Sequence, residues 1–235
     1  MENHPFGPPP LFDSANSIAE REAMVKNQII ARGISDSSVI QAMRNVPRHF
    51  FLPSESRHLA YLDKAISIGF GQTISQPYIV AYILEKLSVS PKEKVLEVGT
   101  GSGYLTALLI DMKAEVVSVE IVPELHRRAT EILELWFPGC TKIHRIRIGD
   151  AYEFAKEKGI YTRFVSSACL PKIPETIHPF FLCLRDGGLA VFPILGTGNV
   201  QHLVTLLKRN DRWEERDRIE VKFVPLTGRG GLPDK

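Results

Sequence analysis

No stretch of apolar residues in this chain is long enough to cross a bilayer as a helix. Cysteine is scarce: Cys140, Cys169 and Cys183 are odd in number and follow no zinc spacing. That excludes a disulfide framework, fits reduced thiols, and leaves Cys169 and Cys183 as small buried hydrophobes. The seven histidines include no H-x-x-x-H pair, so no metal site is expected. Charge of one sign is never concentrated, and the formal net charge is only +2. Neither nucleic acid nor a membrane surface is therefore an expected partner. The densest charged run, Arg212 to Arg218, alternates in sign and reads as a solvated turn. Met1 to Pro10 is proline-rich and lacks the basic-then-apolar order of a secretion signal, so a cytoplasmic protein is expected. Repeats and low-complexity linkers are also missing. The expected organisation is a loose arm at 1–16 and one domain at 17–235, made of a helical cap with a substrate segment (17–90), a core (91–200) and a strand pair (201–235).

What is present centres on Val95-Leu96-Glu97-Val98-Gly99-Thr100-Gly101-Ser102-Gly103-Tyr104. A buried strand breaks into three glycines at every second position, and the apolar run from Leu105 to Met112 reads as a helix. Strand, glycine turn and helix make a nucleotide-type pocket, because glycine lets the backbone approach a ligand that a Cβ would push away. A dinucleotide fingerprint would need its third glycine at position 104, which is Tyr104; here it comes one residue early, at Gly103. E-x-G-x-G-x-G instead resembles motif I of the Class I S-adenosylmethionine-dependent methyltransferases. Val116 to Val119 reads as a second strand ending in Glu120, about twenty residues past the first glycine, where a carboxylate can accept both ribose hydroxyls.

Along the chain, Ser17-Ile18-Ala19-Glu20 has the form of a capping box opening a helix that should end at Gly33. A second helix is expected over Asp36 to Asn45, with Val39, Ile40 and Met43 on one face, and Phe50-Phe51-Leu52-Pro53 should pack this appendage down. Tyr61 to Pro77 is polar and glycine-punctuated, and a helix follows from Pro77 to Leu87. Ser75 or Gln76 is the N-cap of that helix, and Ser75 has two readings: a cap, or with Thr73 an anion cradle at the helix start. Later elements alternate as a doubly wound sheet should: a helix from Pro123 to Trp136, a strand at Ile143 to Ile148, a helix at Tyr152 to Lys158 and a strand at Phe164 to Ala168. A helix at Ile173 to Leu184 and a strand at Leu189 to Pro193 after Asp186-Gly187-Gly188 follow, and Leu203 to Leu207 with Ile219 to Val224 make an antiparallel pair. The fold class is α/β: a doubly wound, mostly parallel seven-stranded sheet with an N-terminal helical cap and a C-terminal antiparallel pair.

The segment YLDKAISIGFGQTISQPYIVA, shortly before VLEVGTGSGY, resembles the protein-L-isoaspartate O-methyltransferase family. The likeness also takes in MVKNQIIARGISD, NVPRHFFLP and FVPLTG, roughly residues 20 to 230, and G-x-G-Q-T-I-S-x-P is its most specific piece. The resemblance implies transfer of a methyl group from S-adenosyl-L-methionine to the α-carboxylate of L-isoaspartyl residues in damaged proteins. Isoaspartyl proteins and peptides would be the partners of a monomer. It implies an active-site Ser75 with Thr73 beside it, substrate contacts from Gln72, Ile74 and Ser167, and cofactor contacts from Glu97, Gly99, Thr100, Gly101, Ser102, Gly103 and Glu120. Asp150 would meet the adenine amino group, although it can equally be the N-cap of the helix after it.

The sequence departs from the family in one region. Gly149-Asp150-Ala151 replaces G-D-G, no Trp-Pro loop follows, Thr162 stands where an acid is usual, and Ser166-Ser167-Ala168-Cys169 replaces V-T-A-A. These changes are expected to touch the floor of the active site. They keep open a weakened or non-catalytic cofactor-binding member, beside a methyltransferase of another substrate class. No Ser-His-Asp or paired-carboxylate set stands out, which fits a carboxylate acceptor that is already ionised at neutral pH.

Overall fold

The computed structural model describes residues 13–229 and 231. Most of the arm expected at 1–16 lies outside those residues. Helix α1 (Ala15–Met24) is capped by Ser14, whose side chain accepts from the Ser17 N–H, so the cap lies three residues before the expected box. The helix then widens to a π turn at Val25–Ile29 and tightens at Ile30–Arg32 before Gly33, at φ +93°, ends it. Helix α2 (Ser37–Asn45) is capped by Asp36 and buries Val39, Ala42 and Met43. Arg48–Phe51 and Ser54–Leu59 are 3-10 turns, and Phe50 to Leu52 are buried as expected.

The glycine-punctuated segment hides a small hairpin, β1 (Ile66–Gly69) with β2 (Gln72–Ile74), ahead of α3 (Pro77–Leu87). Three or four residues per strand, without a polar–apolar alternation long enough to read, left it invisible in the sequence. The core elements then follow: β3 (Lys94–Val98), α4 (Tyr104–Asp111), β4 (Glu115–Glu120), α5 (Pro123–Trp136), a turn of helix α6 (Cys140–Ile143) and β5 (Arg145–Ile148). Next come α7 (Ala151–Phe154), β6 (Tyr161–Ser166), α8 (Pro179–Leu182), β7 (Leu184–Leu195), β8 (Gln201–Arg209) and β9 (Arg212–Val221).

Five expectations are corrected here. The strand expected from Ile143 starts at Arg145, after α6, and the helix expected to reach Lys158 stops at Phe154. Of the helix expected at Ile173 to Leu184 only α8 forms, because Pro174 and Pro179 each lack an N–H and force the preceding residue out of helical conformation. Strand β7 starts before Asp186-Gly187-Gly188 and absorbs those residues as an irregularity in its pairing with β6. Arg212 to Arg218 is a strand, and the turn lies before it at Asn210 and Asp211, both at positive φ. Glu214 pairs with Arg209 and Arg216, and Glu215 with Arg218, so the outer strand is covered with charge.

The large sheet runs β5-β4-β3-β6-β7-β8-β9, parallel up to β7, with β8 antiparallel to both its neighbours. Its two faces bury separate cores. Val95 joins Val39, Phe51, Leu84 and Leu108 under the cap helices, whereas Leu96 and Val98 pack with Phe164, Phe180 and Phe192. From β3 the chain winds outward to β4 and β5, then returns to place β6 on the other side of β3. That reversal opens a crevice beyond the carboxyl ends of β3 and β6. Among the described residues no helix is long and apolar enough to cross a membrane.

Candidate active site

The turn after β3 forms the floor of that crevice. Gly99 and Gly101 have φ of +87° and +55°, values that L side chains rarely adopt, and both line the cleft. Glu120, at the end of β4, is 5% exposed and held in place: Oε2 accepts the Gly101 N–H at 2.7 Å and Oε1 the Val122 N–H at 2.9 Å. Asp150 caps α7 through Oδ1, which accepts the Tyr152 N–H at 2.9 Å, while Oδ2 accepts the Arg229 N–H at 2.7 Å. The capping reading of Asp150 is therefore met, and the same carboxylate also lines the cleft. Ile121, Phe180 and Leu226 supply apolar wall between these acids, in a cleft of about 660 Å³ that includes solvent at its mouth.

A strap closes one side. Cys169 N–H donates to Val224 and Cys169 carbonyl accepts from Leu226, which lays Val224–Thr227 along the cleft. Its far end is tied down by Arg229, whose guanidinium meets Glu153 at 2.8 Å. The β1–β2 hairpin also borders the cleft, contributing Gln72 and Thr73. A second, smaller cavity adjoins the first and is bordered by Ile74, Ser75, Thr100 and Ser102. Thr73, Gly99, Gly101 and Ser167 line both. Ser75 makes no cap: the N-cap of α3 is Gln76, and no side chain caps there.

The structure thus gathers Gln72, Thr73, Ile74, Ser75, Gly99, Thr100, Gly101, Ser102, Glu120, Asp150 and Ser167 around two joined cavities. It leaves out two of the expected residues. Gly103 packs α4 on α5, where a Cβ would come within 3.2 Å of Ala129. Glu97 is fully buried beneath the turn, facing Thr106. Thr162 is also away from the site: it sits at the start of β6, its hydroxyl donating to the Lys94 carbonyl, at the opposite end of the strand from Ser167. The expectation that this departure touches the active-site floor is corrected accordingly. The strap and Phe180 were missed, since a bridge between Cys169 and Pro225 leaves no local pattern in either segment. Among the described residues no cluster of metal-ligating side chains occurs.

A strand-end acid, glycines without Cβ and an apolar wall between two acids suit an adenosine carrying a thioether. With the sheet order, they define a Class I S-adenosyl-L-methionine-dependent methyltransferase. The family model described as protein-L-isoaspartate(D-aspartate) O-methyltransferase matches residues 19–231, and the chain belongs to that family. A protein-L-isoaspartate O-methyltransferase from Picosynechococcus is 44% identical over 217 residues, covering 92% of this chain and 94% of its own length. One from Methanoculleus marisnigri is 45% identical over 212 residues, covering 90% and 93%. A crystal structure from Plasmodium falciparum, described as a protein-L-isoaspartate O-methyltransferase in complex with S-adenosyl-L-homocysteine, superposes with a TM-score of 0.74 at 27% identity. It covers 87% of this chain and 96% of its own.

Proposed function

We propose that this protein methylates the α-carboxylate of L-isoaspartyl residues in damaged proteins, with S-adenosyl-L-methionine as donor. The observation that carries the reading is the wall shared by the two cavities, where Thr73 from the hairpin meets Gly99, Gly101 and Ser167 from the core. S-adenosyl-L-methionine supplies a methyl group activated on a sulfonium. Glu120 would accept the ribose hydroxyls, Asp150 would accept from the adenine amino group, and Gly99 and Gly101 let the backbone come close. On the facing side the Thr73 and Ser75 hydroxyls orient the acceptor carboxylate, with Gln72, Ile74 and Ser167 around it. Hydroxyls hold that carboxylate without neutralising it, and no general base is needed because it is already ionised. The protein's task is alignment and exclusion of water, to which the hairpin and the strap both contribute.

The same reading makes 17–235 one catalytic unit. The buried, unpaired thiols of Cys140, Cys169 and Cys183 support a reducing, cytoplasmic setting, and the charged outer strand β9 supports a monomer. An assay with an isoaspartyl peptide and its aspartyl isomer tests the proposal. Isoaspartate places the carboxylate on an arm one methylene shorter, and misplacement by about 1 Å costs ~10²-fold in rate. Methylation of the isoaspartyl peptide alone is expected; equal methylation of both would reject the substrate assignment.

A further inference from the structure

Glu97 stands two residues before the glycine turn, yet its side chain runs away from the cleft, between β3 and α4. Its Oε2 accepts the Thr106 hydroxyl at 2.6 Å, and its Oε1 is buried without a partner among the described residues. From Thr106 the contacts continue to Ser118 Oγ at 3.4 Å, and Ser118 lies 2.5 Å from Thr100 Oγ1. Glu97, Thr106 and Ser118 are each 0% exposed and Thr100 is 4% exposed. Four polar side chains, from β3, α4, β4 and the glycine turn, therefore form one line through an otherwise apolar layer. It ends at the turn residue that borders the second cavity.

Such a line weakens the core, where apolar side chains of similar size would serve better. Burial first, and the nearby Glu120 charge to a smaller extent, raise the Glu97 carboxyl to about 7, against the neighbouring hydroxyls of Thr106 and Ser118 that lower it. The elements around it otherwise present uncharged groups: Thr106 from α4, Ser118 from β4 and Val165 from β6. An ionised carboxylate only accepts, which sets the direction of every hydroxyl in the line. Thr106 donates to Glu97, Ser118 to Thr106 and Thr100 to Ser118. Thr100 is then left with lone pairs, and no proton, to turn toward the second cavity.

We propose that Thr106 and Ser118 are positioning residues that carry the charge of Glu97 to Thr100 and hold the glycine turn in the form that accepts the cationic end of the cofactor. This rests on the cofactor reading above. The line explains why an acid two residues before the turn is useful although it touches nothing in the cleft. It also assigns a purpose to two buried hydroxyls that the core does not need.

Titration calorimetry with S-adenosyl-L-homocysteine, together with thermal melting, tests this on the whole chain. Ser118→Ala and Thr106→Val should each weaken binding about 10-fold, a loss near that of one hydrogen bond. The double variant should bind no worse than the weaker single one, because the line is broken only once. Ser118→Thr keeps the hydroxyl and should restore most of the affinity. In the wild type, affinity should fall as pH drops through about 7, and Glu97→Gln should remove that fall while binding weakly throughout. Should Ser118→Ala not fold, Glu97→Gln, which preserves shape, decides alone. Wild-type affinity in both single variants, or a pH profile unaltered by Glu97→Gln, would overturn the proposal. A wild-type chain that binds no ligand would overturn the cofactor reading, and this inference with it.

Discussion

On the wall assigned to the cofactor, the acids are already engaged by the protein. Glu120 is held by the Gly101 and Val122 N–H groups and Asp150 by those of Tyr152 and Arg229. On the wall proposed for the acceptor, Thr73 sits in a three-residue strand and Ser75 just beyond it, making no cap on the helix that follows. One wall is fixed before any ligand arrives, and its carboxylates keep spare lone pairs for a ligand's donors. The other offers hydroxyls whose hydrogen bonds are still to be made. A cofactor common to every turnover suits a rigid cradle, whereas acceptors embedded in many different proteins suit a wall that commits its hydrogen bonds on contact.

The largest effect is expected on the acceptor wall. Ser75→Ala should cut turnover by roughly 10²–10³-fold while cofactor affinity stays unchanged. Its melting temperature should also hold, since no cap is lost; a lowered melting point with normal turnover would reverse the comparison. Beneath the cofactor wall, Glu97 supplies the next effect, and it is one of stability. Its carboxyl is raised in the folded state from 4.5 to about 7, so the folded chain binds that proton more tightly than the unfolded one. Stability should therefore fall as pH rises across that window, at a cost on the order of 3 kcal/mol once Glu97 is ionised. Glu97→Gln should flatten the loss, which denaturant titrations on either side of the window would detect. Glu120→Ala should weaken cofactor binding by roughly 1–3 kcal/mol with the acceptor KM unmoved. Full affinity in calorimetry would remove Glu120 from the cradle. Smallest is Thr162→Val, which removes the hydrogen bond to Lys94 and should cost about 1 kcal/mol of stability with turnover intact. A fall in its kcat would show that the far end of β6 matters to the site after all.

The cofactor wall was also the more legible one. Val95 to Gly103 and the strand ending at Glu120 could be read because strand, turn and acid lie close in sequence and each obeys a local rule. Pro123 and Pro77 marked helix starts to the residue, since the missing N–H is spent at no cost in a first turn. The wall proposed for the acceptor rests on a hairpin whose strands, pairing Ile66 with Ile74, are too short to show an alternation, and the strap on a distant pairing, Cys169 with Pro225 across the fold. Neither leaves a period to detect. Ser75 shows the limit from the other side: its sequence position suited a cap, and only the backbone places Gln76 there instead. Thr162 looked like an active-site change because it departs from the family pattern in the same strand that leads into Ser167, but a strand carries its two ends apart at about 3.3 Å per residue.

The reversal of winding at β3 also bears on how the chain folds. Val95 pairs with Arg163 only after the whole β4–β5 excursion has been laid down, whereas β8 and β9 meet through a two-residue turn. Closing the long loop is the entropically dear step, and late contacts of that kind slow folding. Because Gly99 and Ser167 directly follow the carboxyl ends of the two strands joined by that step, the crevice does not exist in any intermediate that lacks it. A ligand spanning those residues can recognise only the completed sheet, so its presence should slow unfolding and leave the rate of folding untouched.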